Sequence, residues 1–201
     1  MSDKSSMKKR FFERCSFLWQ ALRHPATVGA IAPSSKRLAR LIVQEARLAS
    51  AKVVVELGSG TGALTDVILE NIGANGSFVG IETNEAFVSL LRDKYPEAVF
   101  CNGSASNISR YLSELGFGLP ERIISGIPWT ALDTSLQESL LHSISEALVP
   151  QGLFLTFAYF PLNHLPRGRA FEKKLQVYFK TVRKTRVVPN TLPAFVYVCT
   201  K

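Results

Sequence analysis

Residues 52–65 read KVVVELGSGTGALT, and this stretch decides the fold. Val53, Val54, Val55 and Leu57 surround one carboxylate, Glu56, and glycines follow at alternate positions, Gly58, Gly60 and Gly62. A β-branched run of this kind reads as a strand buried on both faces, the pattern of a parallel sheet. Glycines directly after it let the backbone turn tightly and let a ligand approach the chain closely. A helix is expected over residues 63–72. Strand, glycine loop and helix together open a nucleotide-type binding unit, which points to an enzyme working through a bound cofactor.

Working outward, a βα rhythm repeats. Strands are expected over residues 77–82, 98–101, 122–126 and 153–159, with helices over 84–94, 106–115 and 167–179. Asp133 caps a further helix that carries Leu136, Leu140, Leu141, Ile144 and Leu148 at helical spacing. On the amino-terminal side, residues 36–45 form a helix with Leu38, Leu41 and Ile42 turned inward. At the other end, strands at 182–188 and 194–200 are joined by five residues, PNTLP. Five residues cannot carry a right-handed parallel crossover, so this pair is an antiparallel hairpin. The expected fold class is α/β, a seven-stranded, mostly parallel sheet with a reversed last strand, preceded by an amphipathic helix.

A chain of 201 residues with 46% apolar and 20% charged content supports one α/β domain with a short extension. No run is long enough to span a bilayer, and the start lacks a secretory signal pattern. Cys15, Cys101 and Cys199 lie far apart without metal-ligand spacing and suit a reducing compartment; no metal site is expected. The net charge of +8 divides unevenly. Residues 1–24 carry +4, residues 25–160 carry −4 and residues 161–201 carry +8. Two basic ends around a mildly acidic body imply an anionic partner surface, nucleic acid or membrane.

Residues 1–24 are expected to act as a unit apart from the domain at 25–201. On a helical wheel Phe11, Phe12, Cys15, Leu18, Trp19 and Leu22 share one arc, with Lys9, Arg10 and Arg14 elsewhere. Such a helix either packs on the domain or lies on a membrane, with its rings in the acyl boundary and its cations on anionic headgroups. The membrane contacts would be Lys8, Lys9, Arg10, Phe11, Phe12, Arg14, Leu18 and Trp19. His24-Pro25 ends the helix. Ser34 or Ser35 then caps the helix that follows or forms a lip over the cofactor. Arg167, Arg169, Lys173, Lys174 and Lys180 make the helix near the end basic, either as a solvated face or as a second lipid contact.

In open parallel sheets the ligand sits beyond the carboxyl ends of the strands, where the strand order switches. Those ends here are Glu56-Leu-Gly58, Glu82, Asn102-Gly-Ser104 and Ser125-Gly-Ile-Pro-Trp129. Glu82 follows Gly62 by 20 positions, a spacing that suits a carboxylate accepting ribose hydroxyls. The glycines do not follow the dinucleotide pattern, and Glu56 would repel a pyrophosphate. A cationic adenosine ligand fits instead.

E-L-G-S-G-T-G followed by G-I-E resembles motif I and the second-strand acid of the class I S-adenosylmethionine-dependent methyltransferases. The resemblance covers about residues 36–200 and implies a Rossmann-like fold with S-adenosylmethionine as cofactor. Glu56, Gly58, Gly60 and Gly62 would line its methionine part and Glu82 its ribose, with Ser59 and Thr83 also binding the cofactor. Ser104 stands where the family usually has an acid near the adenine amine, and Ala105 and Ser125 are further expected cofactor-binding residues. Residues 28–35, after a basic aromatic helix, are also similar to bacterial phospholipid N-methyltransferases, which methylate phosphatidylethanolamine at the membrane. These are relatives of the rRNA adenine dimethylases, whose fourth-strand motif begins with Asn. Ser125 stands there in this chain, which argues against base methylation and against a nucleic-acid partner.

The resemblance therefore implies a cytoplasmic enzyme, peripherally bound to the inner membrane, that methylates a phospholipid amine. Tyr159 and Trp129 are the candidates to meet the amine, by accepting its proton, holding it, or offering a cation–π face; as plain packing aromatics they would do none of these. His142 reads as a surface residue and His164 as structural. The alternatives are an RNA adenine or small-molecule N-methyltransferase, and a peripheral lipid-binding protein on a methyltransferase scaffold.

Overall fold

The computed structural model describes residues 36–201. Helix α1 (Lys36–Ala46) leads through a short turn into β1 (Val53–Leu57), and α2 (Thr65–Leu69) follows the glycine loop. The rhythm continues with β2 (Ser77–Glu82), α3 (Glu85–Lys94), β3 (Val99–Asn102), α4 (Ile108–Glu114), β4 (Arg122–Ser125), α5 (Thr134–Ala147) and β5 (Leu153–Tyr159). Helix α6 (Pro166–Tyr178) then precedes β6 (Thr181–Lys184) and β7 (Ala194–Thr200). These form one seven-stranded sheet in the order β3-β2-β1-β4-β5-β7-β6. Neighbours β3 to β5 pair in parallel, and β7 runs antiparallel to both β5 and β6. The expected sheet and its reversed last strand are what the structure contains.

All five residues of β1 are buried, because helices cover both faces of the sheet. Val55, Leu57, Ile123 and Phe154 meet Ile108, Leu112, Leu140, Ile144, Phe171 and Leu175 on the α4–α6 face. Val54, Ile124, Leu155, Val196 and Val198 meet Leu38, Ile42, Ile68, Val88 and Leu91 on the α1–α3 face. The alternation of these sets along each strand is the period-two geometry of the pleat. Asn84 and Asp133 cap α3 and α5, their side chains accepting N–H groups of the first turn.

Three details differ from the sequence reading. The helix after the glycine loop is confined to Thr65–Leu69, because Gly58, Gly60 and Gly62 hold φ at 73°, 54° and 86° and keep the preceding chain out of helix. Leu136 is 39% exposed rather than inward, since α5 buries its Leu140, Leu141 and Ile144 stripe instead. The strand expected over 182–188 stops at Lys184, and beyond it a single bridge from Val188 to Ala194 continues the edge. Ser34, Ser35, His24, Cys15 and the basic aromatic segment lie outside the described residues.

Trp129 is part of the core. Its ring stacks on Phe171 at 5.2 Å and meets Phe154 edge-on at 5.9 Å, leaving the residue 3% exposed. Truncating a buried aromatic removes both transfer energy and packing. Trp129→Ala is expected to cost about 3–5 kcal/mol in urea denaturation, a loss that a ligand-facing aromatic would not show.

Candidate active site

The strand order reverses between β1 and β4, so the loops after these two strands diverge and leave a crevice at their carboxyl ends. The glycine loop borders that crevice. Its Gly58 N–H donates to the Ile81 carbonyl at 2.8 Å, and its Gly62 N–H to the Ser59 carbonyl at 2.9 Å. A Cβ at Gly62 would stand 2.9 Å from Tyr95 Oη, so this glycine serves close packing against α3. A Cβ at Gly60 would meet nothing within 4 Å. Gly60 thus presents bare backbone to open space, the room that a ligand lying on the loop requires.

Glu82, at the end of β2, is tied to that loop. Its Oε2 accepts the Gly60 N–H at 2.9 Å, and its Oε1 accepts the Asn84 N–H at 2.9 Å and the Thr83 hydroxyl at 3.3 Å. Asn102 Nδ2 donates to the carbonyls of Glu82 and Thr83, each at 3.2 Å, and the Gly103 N–H reaches the Glu82 carbonyl at 2.9 Å. The ends of β1, β2 and β3 are therefore fixed around one carboxylate. An ionised carboxylate has about four acceptor directions, and the long Thr83 contact is the one a ribose hydroxyl would most readily replace.

Glu56 lies beneath the loop, 1% exposed, with Oε2 accepting the Thr65 hydroxyl at 2.6 Å. Burial pushes its pKa from 4.5 up to about 7; the Thr65 hydroxyl opposes the rise, and the charges of Glu82 and Asp66 add to it. Ser59 Oγ is itself buried without a directed hydrogen-bond partner. A buried carboxylate whose charged form burial disfavours, beside a buried hydroxyl, suits a ligand bringing positive charge and N–H groups.

The remaining expected site residues divide. Ser104 and Ala105 follow β3, where Ser104 Oγ accepts the Ser106 N–H at 3.2 Å and lies 2.9 Å from Ser106 Oγ. Ser125 is fully buried, and its hydroxyl accepts the Ile127 N–H and the Trp129 indole N–H, both at 3.2 Å. Ser125 thus shapes the loop after β4 from below. Trp129 supports that loop too, its carbonyl accepting Gln137 Nε2 at 2.7 Å; a buried ring stacked on Phe171 cannot offer the expected cation–π face. Tyr159 belongs to the α1–α3 face, half-buried against Phe157, so the two aromatics fall on opposite sides of the sheet.

Sequence reasoning missed the buttress of the loop. Tyr95 Oη donates to Asp66 Oδ1 at 2.6 Å and lies 3.2 Å from the Gly62 carbonyl, and Lys94 Nζ reaches Asp66 at 2.9 Å. Thr65, the partner of Glu56, was also passed over as an ordinary helix residue. A threonine three residues beyond the last glycine of the loop is the available signal.

The pH dependence of Glu56 follows from its shift. The unfolded chain releases this proton near 4.5 and the folded chain near 7, so the folded state holds more protons between those values. Stability falls as pH rises through that window and is level above it, the loss being on the order of 3 kcal/mol. Glu56→Gln is expected to flatten this slope in urea titrations from pH 5 to 8 while weakening cofactor binding. Among the glycines, Gly60→Ala should keep the fold and lose at least tenfold in cofactor affinity by calorimetry. Gly62→Ala should lower the melting temperature, because its Cβ meets Tyr95 and Leu91.

No family model matches the chain. It is 27% identical over 186 residues to an ornithine lipid N-methyltransferase of Singulisphaera acidiphila, covering 91% of this chain and 93% of that protein. It is 32% identical over 116 residues to the ribosomal RNA small subunit methyltransferase A of Prosthecochloris aestuarii, but this covers 56% of this chain and 42% of that protein. Among solved structures, the O-methyltransferase TomG of Streptomyces achromogenes, in complex with SAM, superposes with a TM-score of 0.68 at 15% identity, covering 91% of this chain and 88% of that one. An O-methyltransferase of Bacillus cereus, in complex with SAH, gives 0.67 at 11% identity, covering 92% and 90%. With its glycine loop, its second-strand acid and its reversed last strand all in place, the chain carries the fold of the class I S-adenosylmethionine-dependent methyltransferases.

Proposed function

We propose that this chain transfers methyl groups from S-adenosylmethionine to the amine of a membrane lipid, with phosphatidylethanolamine as acceptor. The observation that carries the lipid reading is the likeness to the ornithine lipid enzyme, which runs the length of both chains, whereas the likeness to the ribosomal RNA enzyme stops near half. The surface beyond β5 supports it. Phe160 is 42% and Leu165 40% exposed there, next to the exposed Arg167 and Arg169, the mixture of apolar and cationic groups that a lipid surface accepts. Lys174 takes no part, being tied to Gln137, Thr134 and Glu138 on α5. In this reading residues 1–24 form the membrane-binding helix and 25–201 the catalytic domain, with Lys8, Lys9, Arg10, Phe11, Phe12, Arg14, Leu18 and Trp19 meeting the bilayer. No helix among the described residues is long and apolar enough to cross a membrane.

S-adenosylmethionine supplies an electrophilic methyl group on a sulfonium. The residues contribute position: the glycine loop and Glu82 seat the cofactor, and the surface beyond β5 admits the amine. An acceptor ammonium must lose its proton to expose a lone pair, and its solution pKa resembles that of lysine, about 10.4, so desolvation at a partly apolar edge favours the reactive form. With the cofactor bound, the neutral amine would accept the methyl group with the demethylated thioether as leaving product, the proton having passed from the ammonium to solvent beforehand. Tyr159, at the carboxyl end of β5, is the residue proposed to hold the amine in line.

With labelled S-adenosylmethionine, the full chain is expected to methylate phosphatidylethanolamine in anionic vesicles. Incorporation into RNA alone, without vesicles, would reverse the acceptor assignment. Vesicle binding after Gly60→Arg with no turnover by the wild type on any lipid would make it a lipid-binding protein on this scaffold. Tyr159→Phe should lower kcat at least tenfold with the cofactor Kd unchanged.

A further inference from the structure

Three arginines, Arg37 and Arg40 on α1 and Arg186 beyond β6, line one groove of about 410 Å³. Leu41, Val188 and Pro189 form its floor and sides. All three arginines are exposed, and none makes an ion pair among the described residues. The nearby acid on α1, Glu45, is already engaged by Arg183. Acidic side chains are absent from the described lining, so three arginines line one concavity with no counter-charge from it. Guanidinium forks of this kind recognise phosphate and carboxylate oxygens.

The groove runs along α1 from Arg37 to Gln44, and its Arg37 end lies toward the catalytic edge of the sheet. The carboxyl end of α1 is at the opposite edge, where the Ala46 carbonyl accepts Arg122 Nε at the start of β4. Eleven residues of helix rise about 16 Å, which returns Arg37 to the edge where the parallel strands end. Arg186 reaches the same edge from the other side. Val188 bridges Ala194, and Ala194 pairs with Tyr159 at the end of β5. Two strand spacings separate Val188 from Tyr159, about 10 Å. The groove and Tyr159 also belong to the same face, since Leu41, Val188 and Tyr159 share the α1–α3 cluster.

We infer that Arg37, Arg40 and Arg186 form the subsite for the anionic group of the acceptor lipid's headgroup, holding it so that the amine on the same headgroup extends toward Tyr159. This rests on the lipid-amine reading above and adds to it a reason for substrate choice: an acceptor must carry an anion beside its amine. A basic patch serving only the bulk membrane surface would have no need of a concave site beside the reacting edge.

The test uses the full chain and dihexanoylphosphatidylethanolamine below its micelle concentration, so that no membrane surface is present. Its partner is a dihexanoylglycerol aminoethyl ether, which has the amine and lacks the phosphate. The wild type is expected to prefer the phosphate-bearing amphiphile by at least tenfold in kcat/KM. The triple variant Arg37→Gln/Arg40→Gln/Arg186→Gln should lose that preference while binding S-adenosylmethionine as the wild type does. A triple variant that keeps the preference overturns the subsite, as does a loss of activity seen on anionic vesicles alone. Calorimetric binding of the two amphiphiles gives a readout independent of turnover. Wild-type protein that binds the phosphate-bearing one tenfold tighter than the triple variant but methylates neither upholds the subsite and overturns the enzyme reading. Equal binding by wild type and variant, or inorganic phosphate binding as tightly as the amphiphile, overturns the subsite.

Discussion

The hydrogen bond from the Gly60 N–H to Glu82 Oε2, at 2.9 Å, holds the catalytic edge together. It joins the loop after β1 to the end of β2, and the positive φ of Gly60 is what turns that backbone N–H toward the carboxylate. Gly58, Gly60 and Gly62 all have positive φ, a region that an L side chain enters at a cost of roughly 1–2 kcal/mol. Around this bond Asn84 and Asn102 bring in the start of α3 and the end of β3. Burial of all five β1 residues keeps the strand, and hence the loop, in place.

The same edge concentrates electrostatic cost. Glu56 is buried with one short hydrogen bond to Thr65, and burial pushes its pKa to about 7. Ser59 keeps a buried hydroxyl without a directed partner. Cores of this density normally satisfy such groups, and exceptions cluster where a ligand completes them. A cationic cofactor with an ammonium group answers both needs, which is the physical reason the loop suits S-adenosylmethionine better than a dinucleotide.

On the acceptor side, Trp129 and Tyr159 looked equivalent in sequence, each an aromatic at a strand end. The fold separates them: Trp129 stands in a short helical turn beyond the end of β4, whereas Tyr159 is the last residue of β5. Trp129 turns to the α4–α6 face, where Phe171 and Phe154 enclose it, and its indole N–H holds Ser125. Tyr159 turns to the α1–α3 face, which also carries the arginine groove. Two aromatics beyond or at neighbouring strand ends thus reach different chemical environments, set by the helices that pack on each face of the sheet.

What the sequence determined by itself is the repeating βα order, the hairpin at the end and the chemistry of residues 56–62 and 82. Each of these is local: a buried strand needs a β-branched run, a tight ligand-facing turn needs glycine, and a five-residue connection cannot cross over. The strand order, the burial of Glu56, the brace of Tyr95 on Asp66 and the meeting of Arg37 and Arg40 with Arg186 were decided by tertiary structure. They depend on contacts between residues as much as 149 positions apart, whose proximity is set by how the helices cover the two faces of the sheet and by nothing in the flanking residues.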